Sequence, residues 1–288
     1  MQLFVNDLTV MDFSYLCPRR GMVGESWIVD VILDGGLNDE SMVQDFGIVK
    51  KQLKRIIDDY VDHKLVVPAE NTKANIHHPQ SDERVQVDFL FDEDKWIQLN
   101  CPPEAYAFVY SETVNKKSVT HYLKDVIATH LPENVHDIEI NLREEIINSP
   151  YYHYTHGLKK HEGNCQRIAH GHRSKILISE DAENAEWLQT YWAKRWQDIY
   201  IGSNEDIVDA NTLSFEVKQF TSANCFQYES SQGIFEMAID KSACELIDYD
   251  STVECLAQYV LEESRKKSNK RLKVMAFEGV GKGAMCGD

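Results

Sequence analysis

Two histidines in the second half of the chain are spaced so that both can bind one metal ion. His170 and His172 stand in the sequence HGHRS, and side chains at positions i and i+2 of a strand lie on the same face. A catalytic zinc ion takes three protein ligands and leaves one position open. His156, at the end of the upstream sequence YYHYTH, supplies the third if the two segments form antiparallel strands. His153 is the alternative, but strand alternation places it on the opposite face.

A cysteine lies in the loop between these two segments. Cys165 stands in the sequence GNCQRIA, with four residues between it and His170. Its neighbours are polar, whereas an inert core thiol usually has apolar neighbours. A thiol beside an open metal site suits acid–base chemistry, so we treat Cys165 as a candidate catalytic residue.

The composition limits the classes of protein to which the chain can belong. It has 288 residues and a formal net charge of −17, which argues against a general nucleic-acid or anionic-membrane surface. It contains no apolar run of about 18 residues, and its start lacks the order of a signal peptide. The seven cysteines have no paired spacing, which favours reduced thiols. These features predict a cytosolic protein that binds neither nucleic acid nor membrane.

The elements that must position these residues occur twice along the chain. Each half reads as strand, strand, helix, strand, strand, helix, strand, which predicts a tandem duplication with a boundary near Asn148. We therefore divide the chain into a first half (1–148) and a second half (149–288). Because the strands alternate, we expect antiparallel sheets with helices on one face, an α+β fold.

Specific segments carry these expectations. In the first half we expect strands over 3–15 and 26–33, a helix over 42–60, the strand VQVDFLFD, a helix over 118–130 and the strand IEINLRE. The stretch 69–83 is expected to be an irregular loop with an exposed His77-His78 pair. In the second half we expect the strand RSKILI, the helix EWLQTYWAKRW, the strands LSFEVKQF and GIFEMAID, the helix STVECLAQYVLEESRKK and the strand LKVMAFE. The aromatic helix EWLQTYWAKRW is expected to pack in the core or at an interface.

These motifs together resemble the family of 6-pyruvoyltetrahydropterin and 6-carboxytetrahydropterin synthases, which have the tunnelling fold (T-fold). The second half matches through YYHYTH, GNCQRIA and HGHRS, then through the helix start YDSTVECLAQYV and the strand LKVMAFE. The first half matches separately, through the long segment DGGLNDESMVQDFGIVKKQLKRIIDDYVDHKL that ends in an Asp-His pair. The matches touch most of the chain and identify it as a tandem-duplicated form of this family.

The resemblance implies a role for each residue. His156, His170 and His172 would bind Zn²⁺, with Cys165 as the general base and Asp62-His63 holding it as a thiolate. A group of substrate-binding residues follows: Glu278 would anchor the pterin ring, Ser251 and Thr252 would line its pocket at a helix start, and Lys159, Lys160, Arg167 and Arg173 could hold a triphosphate. The implied substrate is 7,8-dihydroneopterin triphosphate. The Lys159-Lys160 pair can also be read as a solvated loop.

Each half departs from the family pattern in a different way. In the first half, Cys17, Val23 and Glu25 stand where the zinc histidines are expected, so that half should bind no zinc. In the second half, Asp198 is followed by Ile199 where Asp-His is expected. The halves thus predict a site split between them, with the Asp-His pair supplied by the same chain or by a neighbour.

The function predicted from the sequence is a zinc-dependent lyase, a tetrahydropterin synthase that eliminates triphosphate. The spacing between Cys165 and His170 matches neither the carboxy-forming nor the pyruvoyl-forming group, so the product stays open. The alternatives are a pterin aldolase, and a pterin- or purine-binding zinc protein or partner subunit without catalysis. T-fold units close into rings, which predicts a homo-oligomer of two or three chains.

Overall fold

The first half of the chain folds around a long hairpin of two strands that pass through the buried core. The computed structural model describes residues 1–78 and 83–288. In chain order the elements of the first half are β1 (Gln2–Cys17), β2 (Gly21–Gly35), α1 (Phe46–Tyr60), β3 (Leu65–Pro68), β4 (Ala74–His77), β5 (Val85–Phe91), β6 (Lys95–Cys101), β7 (Tyr106–Val109), α2 (Lys116–Ala128) and β8 (Val135–Glu144).

The second half repeats this order, with β11 and β17 added and without a counterpart of β4. Its elements are β9 (Tyr151–His156), β10 (His170–Glu180), β11 (Glu183–Asn184), α3 (Glu186–Arg195), β12 (Ile199–Ser203), β13 (Ala223–Ser230), β14 (Gly233–Asp240), β15 (Cys244–Ile247), α4 (Val253–Arg265), β16 (Leu272–Phe277) and β17 (Gly283–Gly287). The predicted boundary at Asn148 falls in the connection between β8 and β9. No helix in the described part of the chain is long and apolar enough to cross a membrane.

The sheets confirm the predicted duplication and α+β class. One sheet has the order β7-β3-β1-β2-β8, and the other has the matching order β15-β12-β9-β10-β16, extended by β17. The hairpins are antiparallel as predicted, but β3 and β12 each pair in parallel with both of their neighbours. The helices α1 and α2 pack on the first sheet through one apolar core, and α3 and α4 pack on the second through another.

A third sheet joins the two halves. Its order is β13-β14-β6-β5-β4, and β6 of the first half pairs with β14 of the second. Apolar residues of both halves form one core beneath it, including Phe89, Phe226 and Phe235. The duplication therefore has a joint core, and each half depends on the other for part of its burial.

The helix starts are set by local capping. The Asp45 side chain accepts a hydrogen bond from the Ile48 amide, so α1 begins four residues later than predicted. At α2, Asn115 and Ser118 form a reciprocal capping box. Thr252 caps α4, as the sequence predicted.

Two predicted segments differ in the structure. LSFEVKQF (213–220) was expected to be a strand, and its alternating residues Leu213, Phe215 and Val217 are buried as a strand face would be. Its backbone, however, bonds to side chains: the Gln98 amide contacts both Glu216 O and Lys218 N. The segment therefore forms no strand, and the next strand along the chain is β13. The expected loop 69–83 contains β4, which pairs with β5, while His77 and His78 are exposed as predicted. Residues 79–82 of that stretch lie outside the described residues.

Two glycines allow the central hairpins of the halves to touch through their backbones. An ideal Cβ on Gly24 would lie 1.9 Å from Tyr154 O, and one on Gly171 would lie 2.4 Å from the same oxygen. Beside them, the hydroxyls of Ser14 and Thr155 are 2.7 Å apart. The central glycine of HGH is therefore required by this close approach, which brings β1 and β2 against β9 and β10.

Candidate active site

The three predicted histidine ligands converge where β9 and β10 pair. His156 lies opposite His170 in the antiparallel register, and His172 is two residues further along the same strand face. All three are buried, with no more than 1% of their surface exposed. Their candidate ligand atoms lie within 4.8 Å of one another. We call these three residues the histidine cluster.

The contacts of the histidine cluster place an oxygen next to each Nδ1. His156 Nδ1 is hydrogen-bonded to Ser251 O at 2.9 Å and His170 Nδ1 to Arg167 O at 3.1 Å, while His172 Nδ1 lies 3.2 Å from an aspartate oxygen. If each Nδ1 carries the ring proton, each Nε2 has a free lone pair.

The resulting arrangement of Nε2 atoms fits a metal ion. The Nε2 atoms of His156 and His172 are 3.2 Å apart, near the edge of about 3.3 Å expected for tetrahedral zinc with bonds of about 2.0–2.1 Å. His170 Nε2 is buried without a hydrogen-bond partner among the described residues. Burial, followed by the charges of neighbouring histidines, lowers the pKa of His156 and of His170 well below its usual value, which favours the neutral form of both rings.

An aspartate from the first half lies against the ring of His172. It is not among the residues predicted from the sequence. Asp12 Oδ1 lies 3.2 Å from His172 Nδ1 and also accepts a hydrogen bond from the Ser26 hydroxyl, while its Oδ2 lies 3.1 Å from Lys282 Nζ. Burial alone would raise the pKa of Asp12, but the contacts with His172 and Lys282 hold it well below the usual value. A carboxylate behind a ligand histidine fixes its tautomer and orientation. The available signal was a charged residue inside the apolar strand VMDFSY.

The Asp62-His63 pair of the first half lies beside Cys165 of the second half in the same chain. His63 has a left-handed backbone (φ 54°) and donates its amide to Asp12 O at 2.7 Å, which ends α1 in a tight turn. Asp62 Oδ2 is 2.5 Å from His63 Nδ1, and its Oδ1 accepts the Asp12 amide at 2.7 Å. Ligand atoms of His63, Cys165 and His170 lie within 4.8 Å of one another.

This environment favours a charged imidazole next to the thiol. Burial of His63 lowers its pKa, but hydrogen bonds to Asp62 and to Cys165 outweigh that effect and raise the pKa to about 10. At neutral pH the ring is therefore an imidazolium in contact with the Cys165 sulfur.

Three of the predicted substrate residues lie around the histidine cluster. Glu278 follows the end of β16, with Oε1 3.9 Å from His172 Nε2 and with 22% of its side chain exposed. Ser251 holds His156 through its carbonyl and its hydroxyl. Thr252 caps α4 next to it. The arrangement leaves the Glu278 carboxylate at the partly open side of the site.

The four predicted triphosphate ligands are not brought together. Lys159 is held by Asp206 and Glu205, and Lys160 by Asp250 and Glu205, so their charges are already compensated. Arg173 follows His172 and therefore lies on the opposite face of β10, where it lines a different cavity, which contradicts its grouping with the loop cations. Arg167 alone remains at the site, where its Nη1 lies 3.4 Å from His63 O.

A buried lysine joins Arg167 at this place. Lys64 follows His63 directly and is 7% exposed, and burial followed by the charge of Arg167 lowers its pKa to about 8. Within the described residues, neither Lys64 nor Arg167 has a carboxylate oxygen within 4 Å. Two buried cations without a close counter-ion favour a bound anion. Lys64 is not among the residues predicted from the sequence, because this residue directly precedes the apolar strand LVVP.

The register corrects two of the predicted correspondences between the halves. His156 pairs with His170, and Val23, the counterpart of His170, pairs with Tyr15. Tyr15, and not Cys17, therefore occupies the position of His156. Likewise the amides of His63 and Asp198 bond to equivalent strand carbonyls, and both residues have a positive φ. Asp198 therefore replaces the histidine of the pair, and not its aspartate.

Comparison with known families decides the classification. The model of the family "6-pyruvoyl tetrahydropterin synthase" matches residues 16–103 and 145–284, which is more than half of the chain. The chain belongs to this family. Membership confirms the resemblance predicted from the sequence motifs and supports a function of the tetrahydropterin synthase type.

Solved structures of this family match the chain more distantly. The Plasmodium vivax 6-pyruvoyltetrahydropterin synthase is 14% identical, with 52% of this chain and 93% of that chain covered and a TM-score of 0.40. A catalytic-residue mutant of the same protein gives 14% identity, coverage of 50% and 90%, and a TM-score of 0.40. The Plasmodium falciparum protein gives 14%, coverage of 49% and 90%, and a TM-score of 0.39. A search of curated proteins finds no match.

Proposed function

We propose that this chain is a zinc-dependent tetrahydropterin synthase that acts on 7,8-dihydroneopterin triphosphate and eliminates triphosphate. The observation that carries the proposal is the convergence of three buried imidazoles, with candidate ligand atoms within 4.8 Å of one another, beside the Cys165 thiol and the His63 ring. We further propose that both halves of one chain supply the site: the histidine cluster and Cys165 from the second half, and Asp62-His63 from the first.

Each residue would have a defined part in the reaction. The histidine cluster would hold Zn²⁺, which when bound supplies a Lewis acid for the side-chain hydroxyls of the substrate. Cys165, as thiolate, would remove the proton from the carbon next to those hydroxyls. His63 would keep the thiol deprotonated before that step and return a proton afterwards, with Asp62 fixing the orientation of its ring.

Binding of the substrate would use charges on both sides of the metal. The Glu278 carboxylate can accept two hydrogen bonds from the 2-amino group and ring N–H of a pterin. On the other side, Arg167 and Lys64 would hold the triphosphate, since both are buried cations with no carboxylate oxygen of the described residues within 4 Å. Lys159, Lys160 and Arg173 would take no part in holding it.

Assembly and location belong to the same proposal. We propose a homo-oligomer of two or three chains, because β7 and β8 leave unpaired edges on the first sheet, and β15 does so on the second, among the described residues. Sedimentation velocity would test this, and a monomer would contradict it. We keep the cytosolic location predicted from the unpaired cysteine spacing.

The test combines metal content with turnover. Wild type is expected to contain about one zinc per chain by mass spectrometry and to release triphosphate from dihydroneopterin triphosphate, with chromatography identifying the product. His170→Ala should lose the metal and the turnover, whereas the exposed control His121→Ala should keep both. Zinc without turnover would favour a binding protein or partner subunit. Release of a side-chain aldehyde without triphosphate elimination would favour an aldolase. Absence of zinc from wild type would contradict the proposal.

A further inference from the structure

The duplication creates a second place where the halves meet in the same way as at the histidine cluster. Tyr15 takes the position of His156, and Glu25 that of His172. Glu144 pairs with Trp27, and the matching register of β16 gives Glu278 the equivalent position. This second place lies at a cavity of about 560 Å³ lined by both halves, which we call the second cavity.

The charges in the second cavity do not cancel. Three carboxylates line it or its base, and two of them are paired: Asp198 with Arg20 through two contacts of 2.5 and 2.8 Å, and Glu144 with Lys116 at 2.7 Å. The third, Glu25, is 5% exposed, and burial raises its pKa to about 7, so it is partly neutral near pH 7.

One buried cation in the wall has no direct salt bridge among the described residues. Arg173 is 7% exposed, and the one hydrogen bond described for its side chain goes from Nη1 to the Glu145 carbonyl at 2.9 Å. Glu25 and Glu144 attract its guanidinium only at longer range, since no carboxylate oxygen of the described residues lies within 4 Å of it. Burying a charge without a direct partner is costly, so a bound anion would complete the site. A guanidinium suits a carboxylate or phosphate because it can donate two parallel hydrogen bonds.

The surroundings of Arg173 favour the same sign of charge. The 13-residue helix α2 begins at the cavity, with its cap Asn115 and first-turn residues Lys116 and Lys117 in the lining. A helix N-terminus carries partial positive charge and free amide donors. Lys117 adds a side-chain cation at the same end, with no ion pair among the described residues.

Two aromatic side chains give the cavity flat apolar walls. The Arg173 guanidinium lies over the Tyr151 ring at 4.2 Å, and Trp27 also lines the space. Trp27 Nε1 is buried and has no hydrogen-bond partner among the described residues. An indole N–H in the wall of a cavity is a donor that a ligand acceptor can satisfy.

We propose that the second cavity is a metal-free binding site for a small planar heteroaromatic anion, held by Arg173 and packed between Tyr151 and Trp27. The metal ligands of the histidine cluster are replaced here by Tyr15 and Glu25, so the site needs no zinc. The anionic group can be a carboxylate or a phosphate. The proposal does not depend on turnover at the histidine cluster.

Calorimetric titration of the full zinc-loaded chain with pterin-6-carboxylate tests this site. Glu278→Gln provides a background in which binding near the histidine cluster is weakened, and one site per chain should remain. Adding Arg173→Gln should weaken that site by about tenfold or more. Adding the exposed control Arg143→Gln should leave it unchanged. Guanosine monophosphate in a parallel titration distinguishes a phosphate preference from a carboxylate preference.

Several outcomes would overturn the proposal. These are no binding of either probe in the Glu278→Gln background, binding unaffected by Arg173→Gln, and inorganic phosphate binding as tightly as the ring compounds. If Arg173→Gln does not fold, tryptophan fluorescence gives a second measurement. Ligand should quench the emission of the Glu278→Gln chain, and Trp27→Phe should remove most of that quenching; quenching that persists unchanged would also contradict the proposal.

Discussion

The two places where the halves meet have the same backbone, but the acid and the imidazole that face each other have exchanged strand positions. At the histidine cluster, an acid of the first half (Asp12) faces an imidazole of the second (His172). At the second cavity, an imidazole of the second half (His153) faces an acid of the first (Glu25), with 3.9 Å between Nδ1 and Oε2. The same exchange recurs one step further out, where a bidentate pair of Arg20 and Asp198 replaces the contact between Cys165 and His63.

The exchange shows why only one of the places can be reactive in the proposed way. Arg20 and Asp198 satisfy each other through two hydrogen bonds, so neither group is left open to a substrate. In contrast, His170 Nε2 has no partner in the described chain, and the Cys165 sulfur meets a group that can lose its proton. The duplication thus separates two tasks that share one geometry, and each of the following changes tests a part of that comparison.

The largest effect is expected from removing the thiol. Cys165→Ser should lower turnover of dihydroneopterin triphosphate by about 10²–10⁴-fold, because a hydroxyl is a much weaker base than a thiolate and general-base catalysis contributes that much. Zinc content should not change. The matched control Cys17→Ser alters the hairpin of the other half and should leave turnover intact. Equal losses in both variants would contradict a special role for Cys165.

The next effect concerns the backbone contact on which both places depend. Gly171→Ala would place a Cβ 2.4 Å from Tyr154 O and 2.6 Å from the Gly24 Cα, so the hairpins must separate. We expect the free energy of unfolding to fall by about 3 kcal/mol or more, as for severe overpacking. Gly36→Ala is the control, since a Cβ there would meet nothing within 4 Å. Denaturant titration measures both, and an equal effect of the two changes would refute the close-contact explanation.

The affinity for zinc should show whether Asp12, which lies behind His172, orients that ring. Asp12→Asn should weaken zinc binding by about 10–100-fold, because the amide no longer fixes the His172 tautomer with a charged acceptor. Competition with a chromogenic chelator measures the affinity directly. Asp30→Asn, which changes a carboxylate of β2 that pairs with Arg143, is the control and should bind zinc as wild type does. If both variants bind alike, Asp12 does not orient the ligand.

The sequence predicted most of the fold because periodicity and capping are local. The repeated order of elements, the helix cap at Thr252 and the convergence of the histidine cluster all followed from spacings of a few residues. The prediction of a strand at LSFEVKQF was wrong because the backbone of this segment bonds to the Gln98 side chain. Gln98 lies 118 residues before Glu216, which it contacts, so the local sequence does not reveal this partner. Asp12 lies outside the residues predicted from the sequence for the same reason, because His172 and Lys282, which contact its carboxylate, come from the other half of the chain.

Correspondence between the halves was also beyond the sequence. The order of the motifs pairs Cys17 with His156 and Asp198 with Asp62. The backbone of the two halves places both correspondences at other residues. Only the hydrogen-bonded pairs identify Tyr15 and the left-handed turn at Asp198 as the true equivalents. Divergent repeats preserve the backbone better than the side chains, so the register is the more reliable guide.

The smallest effect is a pH dependence that only the second cavity should have. Burial raises the pKa of Glu25 from 4.5 to about 7, so between these values the folded chain binds more protons than the unfolded chain. The contribution of Glu25 to stability must then fall as pH rises through this window. Glu25→Gln cannot ionise and should lack this fall.

Relative to wild type, Glu25→Gln should therefore gain about 1–3 kcal/mol of unfolding free energy between pH 5 and pH 8. Denaturant titrations at the two pH values measure the difference, and other titrating groups cancel between the proteins. The exposed control Glu229→Gln should show no such gain. A pH-independent difference for Glu25→Gln would contradict the raised pKa of Glu25, and the contrast between the two places would then rest on the Arg20–Asp198 pair alone.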